Sequence, residues 1–72
     1  MNNKTITLRD DEEYITLGVM LKIAGLIDTG GMAKAFLANN VVYINDEADN
    51  RRGRKLYRGA VVRVGNKVFS IE

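Results

Sequence analysis

The stretch TLGVMLKIAGLIDTGGMAKAFL, from Thr16 to Leu37, decides the fold. Leu17, Met20, Leu21 and Ala24 fall at i, i+3, i+4 and i+7, the apolar stripe of an amphipathic helix. Thr16 stands where its hydroxyl can cap that helix. Gly25 stands where a left-handed turn would end it. Leu26-Ile27 lead to Asp28-Thr29-Gly30-Gly31, and Asp28 or Thr29 is placed to cap a second helix. Met32, Ala33, Phe36 and Leu37 are its apolar positions. Two helices of about nine residues, joined by about five, are expected to pack on each other as an αα-hairpin.

The flanks read as strands. Lys4-Thr5-Ile6-Thr7-Leu8 alternates polar and apolar, with Ile6 and Leu8 on one face. The acidic run Asp10-Asp11-Glu12-Glu13 follows. It reads as a solvated turn near a helix N-terminus, where the helix dipole favours carboxylates. Adjacent carboxylates do not converge on one point, so it is not read as a metal site. Val41-Val42-Tyr43-Ile44 is a strand with Val42 and Ile44 on one face and Tyr43 on the other. Asn45-Asp46 is a turn pair, and Glu47-Ala48 starts the return strand. Arg58-Gly59 makes a turn. Ala60–Val64 and Lys67–Ile71 then flank Gly65-Asn66 as a hairpin. In that register Val64 faces Lys67, Val62 faces Phe69 and Ala60 faces Ile71 on the core side, with Arg63 opposite Val68 on the other. The expected fold is α+β, an αα-hairpin packed on a small, mostly antiparallel sheet.

Composition narrows the function. The 72 residues suffice for a single domain spanning 1–72. A domain this small buries about 60% of the surface its unfolded chain exposes, so the core is thin. There is no cysteine and no histidine. That removes thiolate sites, the commonest general base and the commonest transition-metal ligand. No nucleophile–base pairing is visible, and the carboxylates around Asp46, Glu47 and Asp49 read as solvated turn residues. No catalytic residue, metal, cofactor or small-molecule substrate is therefore expected. No run of 18 apolar residues exists, so no membrane span is expected. The first residues lack a secretory signal pattern, and the expected location is the cytoplasm.

Charge supplies the positive evidence. Five of the nine residues in Asn50-Arg51-Arg52-Gly53-Arg54-Lys55-Leu56-Tyr57-Arg58 are cationic and none is acidic. The central glycine argues against a helix there, at roughly 1 kcal/mol relative to alanine. The run reads as a loop that binds an anion or polyanion, or as a solvated loop that maintains solubility. Residues 51–67 hold seven of the eleven cations and no acid. Gly30-Gly31, at the mouth of the second helix, lacks the Lys-Ser or Lys-Thr of a nucleotide phosphate loop. A looser reading is backbone phosphate contact there, with Lys34 reaching outward; a plain helix cap is the alternative. Tyr43 either stacks on a base or covers the edge of the core.

In this order of elements the chain resembles the S-four type RNA-binding domain, also called the αL motif. The resemblance spans about residues 15–65. It rests on the helix pair, on Val41-Val42-Tyr43-Ile44-Asn45 and on Arg58-Gly59-Ala60-Val61-Val62. Asp28 to Leu37 and Asn50 to Leu56 look like the stand-alone bacterial members, the YaaA-like and YbcJ-like proteins. The resemblance implies an RNA-binding face made by the start of the second helix and the loop after the central strand. Carried over, that means Thr29, Gly30, Gly31 and Lys34 with Arg51, Arg52, Arg54 and Lys55; Tyr43 is added to this set for its stacking reading. Three positions depart from the family pattern. Thr29-Gly30 replaces the usual serine–arginine pair, Asp46 a glycine, and Arg58 a proline. The missing cation at the helix shifts the expected weight to the arginine loop.

The expected function is a non-catalytic, monomeric RNA-binding protein. The resemblance makes its partner structured, ribosomal RNA or ribosomal particles and its role ribosome assembly or maturation. The alternative is a protein–protein adaptor that docks the basic loop on an acidic partner.

Overall fold

The computed structural model describes residues 2–72; Met1 lies outside them. Strand β1 (Asn2–Ile6) leads through the acidic turn to β2 (Tyr14–Thr16) and helix α1 (Leu17–Ile23). A single 3-10 turn (Gly30–Met32) precedes α2 (Ala33–Asn39). Then come β3 (Val42–Ile44), β4 (Glu47–Ala48), β5 (Lys55–Tyr57), β6 (Val61–Val64) and β7 (Lys67–Ile71). The architecture is α+β: two helices and a five-stranded sheet in the order β1-β7-β6-β3-β4, with β2 and β5 in a separate antiparallel pair.

The β6–β7 hairpin has the register expected from its alternation. Val64 pairs with Lys67, Arg63 with Val68 and Val62 with Phe69. The Ile71 N–H donates to the Ala60 carbonyl at 2.9 Å. Hydrophobic alternation has period two, so a slip of one residue would turn Val62, Phe69 and Ile71 to water. β3 pairs antiparallel with β6 and β4. Asn45 and Asp46 adopt φ of +51° and +70°, the left-handed geometry of a tight hairpin turn. The Asn45 side chain also accepts from the Val61 N–H at 2.9 Å, tying this turn to β6.

β1 is the exception to antiparallel pairing, since it lies parallel to β7. Nearly the whole chain intervenes between the two, so no tight turn dictates their direction. Ile6 and Leu8 are both buried, as their alternation requires. Leu8 keeps the pairing going past the strand by donating to the Glu72 carbonyl at 2.6 Å.

Leu17, Met20 and Leu21 of α1 join Val42, Ile44, Val62, Phe69 and Ile71 in one buried cluster. Thr16 caps α1 by accepting from the Val19 N–H at 3.4 Å. Gly25, at φ +79°, ends the helix region, and the Leu26 N–H turns back to the Leu21 carbonyl at 3.0 Å. These helix signals behave as read. The helices are seven residues each, shorter than expected. The second begins with the 3-10 turn, and Thr29 makes no side-chain capping bond. A 3-10 turn advances three residues per turn, which rotates Met32 off the α-helical stripe. Met32 is accordingly 45% exposed, while Ala33 and Leu37 are buried.

The β2–β5 pair was not expected. Tyr14 and Ile15, after the acidic run, belong to no strand predicted from the sequence, and Lys55 to Tyr57 read as part of the basic loop. Instead Ile15 pairs with Leu56, both buried, and Thr16 pairs with Lys55. The acidic run therefore adjoins a strand rather than a helix N-terminus. No helix among the described residues is long and apolar enough to cross a membrane.

Candidate nucleic-acid interface

The basic loop is built around an acid just outside it. Asp49 follows β4, and its side chain is only 8% exposed. Its Oδ1 accepts from the Arg51 backbone N–H at 2.9 Å and from Arg51 Nε at 3.0 Å. Its Oδ2 accepts from Arg51 Nη2 and from Arg54 Nη1, each at 2.8 Å. The forked Arg51 contact is charge-assisted and fixes geometry as well as adding energy. These bonds, Arg51's foremost, hold the Asp49 carboxyl well below the usual carboxylate range against the opposing effect of burial. Asp49 is thus not the solvated turn carboxylate that its sequence context suggested.

The loop is also fastened to α1. The Leu17 N–H donates to the Arg54 carbonyl at 2.8 Å, and the Gly18 N–H to the Arg52 carbonyl at 2.9 Å. Helix N-termini leave donors unpaired, and here loop carbonyls satisfy two of them. Gly18 lies at the closest point of this approach, with room for a methyl group there. A Cβ built on it would stand 3.4 Å from the Arg52 carbonyl oxygen and 3.6 Å from the Ala33 Cβ.

That approach puts the loop and the second helical segment on one groove of about 430 Å³. Arg52 and Gly53 line it from the loop, Gly30 and Ala33 from the 3-10 turn and α2, and Lys22 from α1. One residue from each of the two segments assembled by resemblance, Gly30 and Arg52, therefore borders the same groove. Thr29, Gly31 and Lys34 are exposed beside it in sequence. Lys22 was not singled out. Its signal was its helix position, off the Leu17, Met20 and Leu21 stripe.

A second concavity, about 470 Å³, is lined by Arg51, Gly53, Arg54, Lys55 and Tyr57. A third, about 690 Å³, lies between the end of α2 and the β3–β4 hairpin. It includes Glu47 and Asp49 along with Arg51 and Arg54, so its charge is mixed. A polyanion is better matched by the first two, which contain cations and no carboxylate.

The four loop cations fall into two kinds. Arg51 and Arg54 are oriented by Asp49, yet each guanidinium keeps further N–H donors. Arg52 and Lys55 enter no ion pair among the described residues. Lys55 sits on β5 rather than in the loop, with its Nζ 5.1 Å from the Tyr14 ring centroid. Tyr43 is elsewhere. It is half-buried on β3, under the Arg63 guanidinium at 4.6 Å, and lines a separate groove with Arg63. Arg58 is more than a turn residue. Its Nη1 donates to the Glu12 carbonyl and its Nη2 to the Arg9 carbonyl, both at 2.9 Å, which pins the acidic turn to the end of β5.

The α+β fold agrees broadly with what comparison with known proteins finds. The S4 domain family model matches residues 6–72, and the chain belongs to that family. A Bacillus subtilis (strain 168) protein named "Probable ribosome maturation protein RlbA" is 61% identical to it over 54 residues. The match spans 75% of this chain and 76% of that relative.

Proposed function

We propose that this chain is a non-catalytic RNA-binding domain that acts in ribosome maturation. The helix pair serves as the family's αα-hairpin, presenting Gly30 and its neighbours Thr29, Gly31 and Lys34 to RNA. Arg51, Arg52, Arg54 and Lys55 supply the electrostatic grip. The observation that carries this reading is the meeting of Arg52 with Gly30 and Lys22 on one carboxylate-free groove. Membership of the S4 domain family supports an RNA-related role. The name of the Bacillus subtilis relative supports placing that role in ribosome maturation. Arginine rather than lysine dominates the loop, which suits forked phosphate contacts and stacking on bases. Tyr43, already engaged by Arg63, is a peripheral contact at most in this scheme.

Co-sedimentation with ribosomal particles, with and without ribonuclease, tests the proposal. The expected result is association that ribonuclease abolishes. Association that survives complete digestion of the RNA points instead to docking on an acidic protein. Filter binding to the isolated RNA should show a log–log salt slope on the order of −3 to −4 if about four cations displace counterions.

A further inference from the structure

Tyr57 belongs neither to the core nor to the phosphate-binding set, and its surroundings give it a use. The residue is 52% exposed, while its strand neighbour Leu56 is fully buried. Strand alternation leaves Lys55 and Tyr57 on the same outward face, about 6.6 Å apart along β5. The Tyr57 hydroxyl makes no hydrogen bond among the described residues. Its ring is braced by Tyr14 across the strand pair, with centroids 5.6 Å apart and planes tilted by 52°. Lys55 rests over Tyr14, so one cation is held beside this aromatic pair.

The ring also belongs to a groove. Tyr57 is the one aromatic residue lining the concavity of about 470 Å³ whose other walls are Arg51, Gly53, Arg54 and Lys55. Gly53 contributes no side chain to it, and a Cβ built there would meet nothing within 4 Å.

Resting on the RNA-binding reading above, we propose that Tyr57 is a stacking platform for one unpaired nucleotide. Its phosphates lie toward Arg54 and Lys55. A base within a duplex has both faces covered by neighbours, so only a bulged, looped or single-stranded base has a face to give. Charge sets the orientation. At the Tyr57 end the pair is followed by the acidic turn that Arg58 pins, whereas the Lys55 end leads into the arginines. The uncharged base belongs at the first and the phosphate at the second. Stacking on a ring tolerates any base, so the site selects an unpaired nucleotide and not a sequence.

The test uses two RNA probes, a fully paired duplex and the same duplex carrying a short bulge that contains 5-iodouridine. Filter binding compares the native chain with Tyr57→Leu and Tyr57→Phe, each checked for folding by circular dichroism. The native chain is expected to prefer the bulged RNA. Tyr57→Leu should lose about fivefold or more on the bulged RNA alone, with an unchanged salt slope, and Tyr57→Phe should keep the preference. Irradiation of the native complex should crosslink the bulge to the peptide containing Tyr57, a readout that does not depend on any variant folding. Equal affinity of Tyr57→Leu and native protein for the bulged RNA, equal losses on both RNAs, or crosslinks confined to other peptides would overturn the platform. Salt-dependent binding of the duplex with any of those results leaves the RNA-binding reading standing. Absence of binding to either RNA overturns both.

Discussion

Asp49 shows how one residue can set the behaviour of several. Five cations in nine residues repel one another, and a carboxylate two positions before Arg52's neighbour Arg51 gathers two of them into a fixed fork. Asp49→Asn adds one unit of positive charge, which by itself favours RNA. It also frees two long side chains whose ordering must then be supplied at binding. The forked bonds are short and the carboxylate is shielded from water, so the loss of geometry should win. The expected outcome is weaker RNA binding with a steeper salt slope, measured by filter binding across a salt series. The same residue sets an acid dependence. Its carboxyl titrates lower when folded than its ordinary value of 3.8. The contribution to stability is therefore complete above that value and falls away as pH drops below it. Urea denaturation at stepped pH should show that decline in the native chain and a reduced one in Asp49→Asn. Arg52 offers the contrasting case. The fold uses its carbonyl, which alanine retains. Arg52→Ala should leave the urea midpoint in place and make the salt slope shallower by about 1. Arg51→Ala removes part of Asp49's pairing and should lower both affinity and stability. The loop cations were legible in the sequence, but Asp49's part was not. An aspartate beside Asn45, Asp46 and Glu47 looks like turn solvation until the chain folds it under Arg51 and Arg54.

At the scale of elements, legibility followed length and periodicity. The β6–β7 hairpin is long enough for alternation to fix its register, and α1 carries both its stripe and its caps. β2 and β5 have three residues each and lie against charged runs, the acidic turn and the basic loop, which mask their alternation. Their pairing is dictated by Ile15 and Leu56 meeting in the core, a long-range fact. The 3-10 start of the second helical segment was hidden for a related reason, since Met32 fits an α-helical stripe on paper. Gly18 is the element-level contact with the sharpest consequence. It separates α1 from both the loop and Ala33 by a distance that admits a methyl group and little else. Gly18→Ala should retain RNA binding and change stability by less than about 1 kcal/mol, with better helix propensity favouring alanine. Gly18→Leu has no such room. It should push Arg52 away from α1, lower the thermal midpoint and weaken RNA binding. Thermal melts followed by circular dichroism, paired with filter binding, distinguish the two substitutions.

For the whole molecule, the β2–β5 pair acts as a spacer between charges of opposite sign. The acidic turn adjoins its Tyr14 end, and the arginine loop its Lys55 end. Three residues of strand put the two clusters about 10 Å apart, near one Debye length at 0.1 M salt. The sequence already displayed the asymmetry, as acid near the start and base past the middle. It did not display the distance, which depends on Arg58 reaching back to Arg9 and Glu12. At that separation the acidic end repels any approaching polyanion at low salt and is largely screened at high salt. Asp10 and Asp11 are exposed, and among the described residues the one ion pair at Asp11 is a long surface contact to Arg9 at 3.8 Å. Such pairs contribute little to stability, so replacing both residues should leave the fold unchanged. Asp10→Asn with Asp11→Asn is expected to raise the association rate for RNA a few-fold at low salt, with the dissociation rate nearly constant. The gain should fade as ionic strength rises past about 0.15 M. Stopped-flow association at several salt concentrations decides the matter. A gain that persists at high salt, or that appears in the dissociation rate, would mean that these carboxylates touch the bound RNA and do not merely act on its approach.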